Sequence, residues 1–513
     1  MSPMLDQVID RFEPSPGFVS IMTEARPAVT LALDVGTSGA RAALFDDQGK
    51  EIEGAAVRIL ANSQPASDFS FLNPDDTVSL VVEVIDALLA QPSQSSVKVG
   101  NIAISCFWHS LVGIDASGTP TTPVLGWAQR GGAKAVSELQ SRFDEREIHS
   151  RTGCRFHPSY WTVKLLQLRD AEPEIFKRTR LWLSFSEYLT LRLFGETATS
   201  ISMASGTGCF NQRKCTWDLE LLEALDLSVA SFPRIATLNQ TFNGLVENYS
   251  RRWPQLSEAR VHPAIGDGAA NNIGSGCTTS KYLALMIGTS GAMRVLYKGI
   301  PPPEIPSELW CYRAGRDRVV LGGALSDGGG LYRWINESLH FRGSSEEIES
   351  ELRQLEPDAH ELTILPFWAG ERSTGWSVDA RGAIIGLTLR TRPADILRAA
   401  MEAVAYRFAL IAQALEKFAA DASVIVSGNA LRSSPVWVQI VADVLGRQIT
   451  LSGSAEASTR GAALLALEAT GKIQSIEEFS AVVETVIEPD MSHHARYQEG
   501  LKRQQNFYQK VLS

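Results

Sequence analysis

The sequence predicts an α/β protein built from two large, related halves with a ligand cleft between them. The chain has 513 residues, which is too long for a single hydrophobic core and favours two domains. The segment from Leu31 to Phe45 recurs from Leu283 to Tyr297, with nine identical residues at a constant offset of 252. A repeat of that spacing indicates two related halves. Runs typical of buried strands alternate with helix-periodic segments, which is the pattern of α/β domains.

Each copy of the repeat has the pattern of a hairpin with a glycine-rich turn. An apolar run leads into Gly-Thr-Ser-Gly, and a second apolar run follows. Glycine lets the backbone approach an anion closely, and hydroxyl groups donate hydrogen bonds to phosphate oxygens. A hairpin without a ligand is the alternative for either turn alone, but the duplication favours two turns that grip one polyphosphate. The hydroxyl residues of the turns are Thr37, Ser38, Thr289 and Ser290.

Two charged residues of the first copy are not repeated in the second. Asp34 and Arg41 of the first copy correspond to Met286 and Met293 of the second. A carboxylate beside a phosphate turn can hold Mg²⁺ or its water. We therefore predict that the first copy alone handles a metal ion, with Asp34 as the metal residue.

The overall charge argues against a nucleic-acid partner. The formal net charge is −10, whereas nucleic-acid binding leaves a basic footprint. Apolar residues make up 44% of the chain and charged residues 21%, which is ordinary for a globular protein. An anionic substrate must therefore be held by local donors and not by long-range attraction.

Cysteine usage and hydropathy predict a cytoplasmic protein without a membrane partner. The six cysteines contain no Cys-x-x-Cys pair, so neither a zinc site nor a disulfide framework is indicated, and they suit a reducing compartment. The longest strongly apolar stretch, residues 78–90, contains Glu83 and Asp86 and is too short to span a bilayer. Residues 1–27 lack the basic start and the apolar run of a signal peptide, so they are predicted to be a flexible extension.

Two groups of polar aromatic residues in the first half are candidates for a sugar site. A predicted buried strand over residues 97–105 delivers Trp108 and His109 at its end, and open α/β sheets bind ligands at the carboxyl ends of their strands. His157 and Tyr160 lie in a second aromatic-rich segment, in which Pro158 predicts a helix start. The alternative interpretation is structural: a packing histidine in the first group and core aromatics in the second.

Two further segments of the first half carry structural predictions only. Residues 182–194 have a helical pattern that Gly195 ends. Residues 202–208 combine hydroxyl side chains with glycines and are expected to form a turn.

An acidic residue between two glycines precedes the second copy of the repeat. Asp267 follows Gly266, just after a predicted hinge over residues 261–263. The neighbouring glycines leave the carboxylate sterically open to a substrate hydroxyl, where a general base would be needed if a nucleotide sits between the halves. Gly-Asp-Gly is also common in ordinary turns, which is the alternative.

A strand, a glycine turn and a helix start in the second half suit adenosine binding. Residues 424–427 are strand-like, Gly428 and Asn429 form the turn, and Ser434 with Pro435 begins a helix. The same elements occur in scaffolds that bind no nucleotide. The chain has no Walker lysine motif and no Gly-x-Gly-x-x-Gly.

Together these stretches resemble the FGGY carbohydrate kinases, whose two domains have the actin-like, ribonuclease H-like ATPase fold. The likeness runs from about Thr30 to Leu467. Residues 34–41 are similar to the first phosphate loop of the family, 287–291 to the second, 265–268 to the segment with its catalytic aspartate, 427–430 to its adenosine loop and 382–402 to its carboxy-terminal signature.

The resemblance implies an ATP-dependent kinase for a small sugar or sugar acid, with Mg²⁺ as cofactor. It implies an N-terminal domain over residues 28–262 and a C-terminal domain over residues 263–513. Asp267 is then the general base and a substrate contact, and Asp34 the metal ligand. The implied nucleotide contacts are Thr37, Ser38, Arg41, Gly288, Thr289, Ser290, Gly428 and Asn429, and the implied sugar contacts are Trp108, His109, Trp127, His157 and Tyr160.

Within the family, the sequence most resembles gluconokinases. The likeness rests on residues 108–115, 151–161 and 370–382. It implies that D-gluconate is phosphorylated to 6-phosphogluconate. The candidate donors to the sugar-acid carboxylate are His109, His157 and Lys164.

Two positions depart from the family pattern. Gln129 stands where an acid is usual after Trp127, so a neutral amide is expected near the sugar. Asn429 replaces a glycine of the adenosine loop, and Asn tolerates positive φ, so the turn is expected to survive.

Two alternatives to a gluconate kinase stay open. The nearer is a ketose or polyol kinase such as a xylulokinase, which a panel of sugars would separate. The second is a non-catalytic nucleotide-dependent switch, which would bind ATP without sugar-dependent release of ADP. The sequence does not decide the oligomeric state and leaves a homodimer open.

Overall fold

A computed structural model describes residues 28–61, 71–91, 93, 97–129, 131–339, 341, 343–453 and 456–512. The predicted extension over residues 1–27 lies outside these ranges. Within them, no helix combines the length and the apolar character needed to cross a bilayer.

The first half alternates strands with helices. In chain order its elements are β1 (Val29–Gly36), β2 (Gly39–Phe45), β3 (Glu51–Leu60), β4 (Phe71–Leu72), α1 (Pro74–Leu89), β5 (Val99–Cys106), β6 (Val112–Ile114), β7 (Val124–Leu125), α2 (Ala133–Arg142), α3 (Glu145–Thr152), α4 (Trp161–Ala171), α5 (Pro173–Arg178), β8 (Leu181–Leu183), α6 (Phe185–Phe194), β9 (Thr199–Ser200), α7 (Ile201–Ser205), β10 (Phe210–Asn211), β11 (Thr216–Trp217), α8 (Leu219–Ala224), β12 (Ile235–Ala236), β13 (Phe242–Asn243), α9 (Glu247–Arg252), β14 (Arg260–Val261), β15 (Ile265–Gly266) and α10 (Asp267–Gly274).

The second half begins with the other copy of the repeat. Its elements are β16 (Tyr282–Ile287), β17 (Gly291–Lys298), β18 (Trp310–Gly315), β19 (Arg318–Leu325), α11 (Gly329–Ser338), α12 (Ser345–Arg353), β20 (Thr363–Leu365), β21 (Ala383–Ile385), α13 (Pro393–Leu415), β22 (Ser423–Ser427), α14 (Asn429–Arg432), α15 (Pro435–Leu445), β23 (Ile449–Ser452), α16 (Ala457–Ala469), β24 (Val483–Ile487) and α17 (Met491–Leu512). Short 3₁₀ helices cover Val229–Ser231 and Pro254–Leu256 in the first half and Ile476–Glu478 in the second.

Each half is organised around one mixed sheet, and the two sheets share a plan. The first has the strand order β13-β14-β5-β1-β2-β3, with β15 also paired to β5, and the second has the order β18-β19-β17-β16-β22-β23-β24. In each sheet the first strand of the repeat pairs antiparallel with the second strand and parallel with a later one. The duplicated hairpin predicted from the sequence is therefore confirmed.

Local sequence signals explain the helices that flank these sheets. The Asn73 side chain caps α1 by accepting hydrogen bonds from two backbone N–H groups, and Pro74 occupies its first turn. The apolar stripe of α1 is buried against the first sheet. Ser434 caps α15 in the same way, and Gly446 ends that helix in the left-handed region with φ 62°.

Three local predictions in the first half are wrong at their first residues, although helix α6 with its end at Gly195 and helix α4 are themselves confirmed. Trp182 lies in β8 and not in a helix, because the helix begins only after the Ser184 capping box. Residues 202–205 belong to α7, where the Ser200 side chain caps the helix. The helix expected at Pro158 begins at Trp161.

The helix that begins at Asp267 connects the two halves. β15 pairs with β5 of the first sheet, and Asp267 is the next residue after β15. Helix α10 crosses α16 at very short range, since a Cβ on Gly274 would lie 1.6 Å from the Ala457 carbonyl oxygen and one on Gly461 would lie 1.9 Å from that of Ala270. Helix α16 itself packs on β1 and β5. The boundary between residues 262 and 263 stays a prediction.

Candidate active site

The two glycine-rich turns are hairpin turns, as the sequence predicts. Gly36 and Gly39 pair at the end of the first hairpin, which leaves Thr37 and Ser38 as its loop. In the second hairpin Ile287 pairs with Gly291, so the loop has one residue more. Its backbone closes on itself where the Gly288 N–H donates to the Ser290 carbonyl at 2.9 Å.

A cleft of about 750 Å³ brings the predicted nucleotide residues of both halves together. This volume lies in the usual range for a small-molecule site. The lining residues that the sequence predicts are Ser38, Arg41, Asp267, Gly288, Thr289, Gly428 and Asn429. The lining does not include three other predicted residues of the two hairpins, which are Asp34 of β1, Thr37 and Ser290.

A run of glycines supports the second turn from behind. The Gly329 N–H donates to the Gly288 carbonyl at 2.7 Å, and the Thr289 carbonyl accepts from Gly328 and Gly330 at 3.1 and 3.0 Å. A Cβ on Gly329 would lie 2.7 Å from the Gly288 carbonyl oxygen. Side chains are therefore excluded here, because the backbone of the turn occupies the space.

The predicted adenosine turn has its special backbone geometry at Gly428. Gly428 has φ 102°, and a Cβ there would lie 2.3 Å from the Ile287 carbonyl oxygen. Asn429 is the first residue of α14 and has helical geometry. The expectation that Asn429 needs to tolerate positive φ is wrong, because the preceding glycine takes that conformation.

Asp34 and Arg41 form an ion pair beside the first turn. Arg41 Nη1 donates to Asp34 Oδ2 at 3.1 Å, and Ser105 Oγ donates to Asp34 Oδ1 at 2.8 Å. Arg41 Nε also pairs with Glu456 at 3.2 Å, a partner that the sequence did not reveal. Burial raises the pKa of Asp34 above its ordinary value, and the Arg41 charge acts in the opposite direction.

Asp267 is half-buried at the first turn of α10 and lines the cleft. Its Oδ1 accepts a hydrogen bond from the Gly268 N–H at 2.8 Å. Burial raises the pKa of Asp267 to about 6, the negative charge of Asp34 adds to this effect, and the Arg294 charge opposes it. Asp34 is close enough for its charge to act on Asp267, and two neighbouring carboxylates form an oxygen-rich site of the kind that Mg²⁺ prefers.

Arg294 is a further cleft residue that sequence reasoning missed. It is 4% exposed, and it donates from Nε to Asn272 Oδ1 at 3.0 Å and from Nη2 to Asn271 Oδ1 at 3.3 Å. Burial lowers its pKa to about 10. No sequence signal marked it, since Arg294 occupies an ordinary strand position of the repeat where the first copy has Ala42.

Trp108 packs directly against the loop that carries Asp267. Its indole is 5% exposed, and Nε1 donates to the Ser202 carbonyl at 3.0 Å. A Cβ on Gly266 would approach the indole to 1.9 Å. The ring therefore supports the Asp267 loop, and its contact with a sugar stays a prediction.

His109 lies next to Trp108 in a strained conformation. It has φ 69°, which is uncommon for a residue other than glycine and often marks a functional site. Its Nδ1 lies 2.6 Å from the Gly206 carbonyl oxygen. Burial lowers the pKa of His109 to about 3, so the ring is neutral near pH 7.

The second aromatic segment joins the two halves. Tyr160 and Tyr312 of the second half share a hydrogen bond of 2.6 Å between their hydroxyls. His157 uses both ring nitrogens, with Nδ1 3.0 Å from Ser159 Oγ and Nε2 3.0 Å from the Glu371 carbonyl oxygen. Burial lowers the pKa of His157 to about 3.

Lys164 has a structural role that differs from the sequence prediction. Its side chain is fully buried, and Nζ donates to the His109 carbonyl at 2.5 Å and to the Ser159 carbonyl at 2.8 Å. Burial lowers its pKa well below the ordinary value. Lys164 therefore ties the two predicted sugar-binding segments together and does not face a substrate carboxylate.

A second cavity lies between Trp127 of the first half and a loop of the second half. Its lining includes Trp127, Gln129, His157, Glu371 and Arg381. The Gln129 Oε1 is buried without a hydrogen-bond partner among the described residues. We call this space the aromatic cavity.

Arg372 stacks on the wall of the aromatic cavity. Its guanidinium carbon lies 4.5 Å from the centre of the Trp127 ring, and Nη2 donates to the Leu325 carbonyl at 2.8 Å. Arg372 is 8% exposed, and its Nε has no partner among the described residues. In the sequence, Arg372 falls within the gluconokinase-like stretch 370–382, which gives no sign of this contact.

The protein has two related α/β halves, and residues of both hairpin turns and Asp267 line one cleft between them. This arrangement is that of a two-domain kinase of actin-like architecture. The chain belongs to the FGGY family of carbohydrate kinases, because the N-terminal domain of that family matches residues 29–274 and the C-terminal domain matches residues 283–470. The predicted fold class and family are therefore confirmed.

Relatives with two different substrates resemble the chain to a similar degree. It is 26% identical over 468 residues to a gluconokinase of Bacillus subtilis (strain 168), with 88% of this chain and 90% of the relative covered. The structure of a gluconate kinase from Lactobacillus acidophilus has 26% identity and a TM-score of 0.84, with 94% and 98% covered. A ligand-bound xylulose kinase from the same organism has 26% identity and a TM-score of 0.85, with 95% and 99% covered.

Proposed function

We propose that the protein transfers the γ-phosphoryl group of ATP to a hydroxyl of D-gluconate and forms 6-phosphogluconate. The observation that carries the kinase chemistry is the position of Asp267, which lines the cleft between the two phosphate turns at the start of α10. Its raised pKa of about 6 suits a base that must accept a proton near neutral pH.

The proposed reaction is an in-line displacement with Asp267 as general base. Asp267 accepts the proton of the attacking hydroxyl as the oxygen forms its bond to the γ-phosphorus, and ADP leaves with the electrons of the broken bond. Donors of both turns hold the phosphates of ATP, with Gly428 and Asn429 beside the adenosine. The proposed phosphate contacts are Thr37, Ser38, Arg41, Gly288, Thr289 and Ser290.

Asp34 is the proposed metal residue. Its carboxylate is fixed by Ser105 and Arg41 and lies near a second carboxylate, which suits a hard divalent cation. Mg²⁺ supplies charge neutralisation for the phosphates when bound. Residues of the first hairpin would hold it, since the second hairpin has Met286 at the equivalent position.

Two observations favour a sugar acid over an uncharged sugar. Gln129 lines the aromatic cavity where an acidic side chain would repel a substrate carboxylate. Arg294 and Arg372 are both buried, and neither forms an ion pair with the described residues. The gluconokinase and gluconate kinase relatives support the same substrate.

A substrate panel tests the proposal. We expect sugar-dependent release of ADP from ATP with D-gluconate, at a kcat/KM at least tenfold above those for D-xylulose and glycerol. Preference for an uncharged ketose or polyol would overturn the substrate assignment in favour of the xylulose kinase relatives. ADP release that no sugar changes would instead favour a nucleotide-dependent switch.

A further inference from the structure

A substrate carboxylate needs a positively charged donor, and the three residues that the sequence suggested do not supply one. His109 and His157 are neutral near pH 7 because burial lowers their pKa values to about 3. Both ring nitrogens of His157 already have protein partners. Lys164 donates to two backbone carbonyls and has no exposed surface.

We propose that Arg372 binds the carboxylate of the sugar-acid substrate and thereby selects acids over uncharged sugars. This inference rests on the proposed gluconate kinase function. It names the residue that would distinguish gluconate from the substrates of the ketose and polyol kinases.

Arg372 differs from other buried arginines of the protein in its lack of partners. Arg398 pairs with Glu402 at 2.9 Å and Arg318 with Glu468 at 2.7 Å. Arg313 has no carboxylate partner, but each of its three nitrogens is engaged by a carbonyl or a sulfur atom. Within the described ranges, Arg372 makes one hydrogen bond and leaves Nε unpaired. A buried cation in this state is costly unless a ligand completes it.

The position of Arg372 suits contact with a substrate in the aromatic cavity. Its guanidinium stacks on Trp127, which lines that cavity beside Gln129. Stacking covers the face of the planar group and leaves its edge for a carboxylate, which a guanidinium binds through two parallel hydrogen bonds. The Asp267 carboxylate and the Tyr160 hydroxyl are both close enough to act on the charge of Arg372.

The backbone on both sides of Arg372 is firmly held. The carboxylate of Glu371 forms an ion pair with Arg407 at 2.5 Å and accepts from Tyr508 at 2.8 Å. Ser373 exchanges two hydrogen bonds of 3.0 Å with Ala324 of β19. A donor whose position is fixed before the ligand arrives loses little freedom on binding, which increases its contribution to affinity.

The test compares D-gluconate with D-glucitol, which has a hydroxymethyl group in place of the carboxylate. For Arg372→Gln we expect kcat/KM with D-gluconate to fall by roughly 10²- to 10³-fold, the usual scale when one partner of a buried charge pair is removed. The value with D-glucitol should change less than about threefold, because no carboxylate is present to lose its partner. Arg372→Lys keeps the charge without the fork and should lose roughly tenfold with D-gluconate.

Arg353 provides the matched comparison. It is an exposed arginine in the last turn of α12 and lines neither the cleft nor the aromatic cavity, so Arg353→Gln removes the same charge from the surface. We expect Arg353→Gln to change kcat/KM with D-gluconate by less than about threefold, since water screens an exposed charge. Arg381 lines the aromatic cavity and is the rival donor, so selective loss of gluconate activity in Arg381→Gln instead of in Arg372→Gln would overturn the assignment.

The outcomes separate this inference from the proposed function. If the wild-type protein phosphorylates D-gluconate but Arg372→Gln loses D-gluconate and D-glucitol equally, Arg372 only packs on Trp127 and the inference fails alone. A wild-type protein that ignores D-gluconate would overturn both. A readout independent of turnover is the rise in melting temperature caused by D-gluconate without nucleotide, which we expect Arg372→Gln to abolish and Arg372→Lys to retain in part.

Discussion

At Asp267, opposing influences act on the pKa of one carboxyl group. The interior and the nearby Asp34 carboxylate favour the protonated form, while the Arg294 charge and the Gly268 N–H favour the ionised form. The balance leaves the pKa at about 6. The base form therefore dominates at neutral pH and disappears under mildly acidic conditions.

Removal of the proposed base should stop transfer and spare binding. Asp267→Asn is isosteric but cannot accept the proton, so we expect kcat to fall by about 10²- to 10⁴-fold with little change in the Kd for ATP. Asp317→Asn, an exposed carboxylate in the hairpin between β18 and β19, is the control and should behave like the wild type. Turnover by Asp267→Asn within threefold of the wild type would remove the assignment.

The pH profile should report the same group. Because protonation of Asp267 removes the base, kcat/KM for D-gluconate should fall as the pH drops through about 6, by roughly tenfold for each further unit. The measurement is steady-state ADP release between pH 5 and pH 8 at fixed ionic strength. A flat profile between pH 5 and pH 7 would contradict the role of Asp267.

Asp34 should affect both the metal requirement and this profile. In Asp34→Asn the negative charge that raises the pKa of Asp267 is lost, so the acid limb should move to lower pH. The Mg²⁺ concentration that gives half-maximal rate should rise, since a carboxylate ligand is gone. An unchanged Mg²⁺ requirement would argue that Asp34 serves only as the partner of Arg41.

At the scale of elements, the close contact between α10 and α16 holds the helix whose first residue is Asp267. Gly274 and Gly461 let the two backbones approach, and a Cβ on either would meet a carbonyl of the other helix at less than 2 Å. Gly461→Ala should therefore lower the free energy of unfolding by about 1–3 kcal/mol, although alanine is the better helix former.

Thermal unfolding checks this prediction against a matched glycine. Gly315→Ala adds the same methyl group at the end of β18, where the nearest atom is 3.8 Å away, and should leave the melting temperature almost unchanged. Gly461→Ala should melt several degrees lower. Equal melting temperatures for the two variants would show that the helices separate at no cost.

Element prediction succeeded where the local signal was strong. The capped helix α15 and the paired hairpins follow from Ser434 with Pro435 and from the repeated Gly-Thr-Ser-Gly. It failed at β8 and α7, which are three and five residues long. Elements this short depend on pairing with distant strands and on packing, so local periodicity carries little information about them.

At the scale of the whole molecule, the repeat predicted the architecture but not the partners of the site residues. Two halves and a shared cleft follow from the duplicated hairpin. The roles of Arg372 and Glu456 depend on contacts across more than a hundred residues, for which one sequence holds no signal. The role of Arg294 depends on its contacts with Asn271 and Asn272 of α10, which the sequence does not reveal either. Lys164 was misjudged for a similar reason, because the His109 carbonyl that accepts from its Nζ lies 55 residues earlier in the chain and cannot be inferred from the position of Lys164 in a helix.

The most direct test of the account follows the phosphoryl group itself. With wild-type protein, Mg²⁺ and ATP, ³¹P NMR should show one phosphate ester of D-gluconate formed for each ADP, and little inorganic phosphate, because cleft closure excludes water from the γ-phosphorus. Formation of inorganic phosphate at the same rate with and without D-gluconate, and no sugar phosphate, would contradict the central claim.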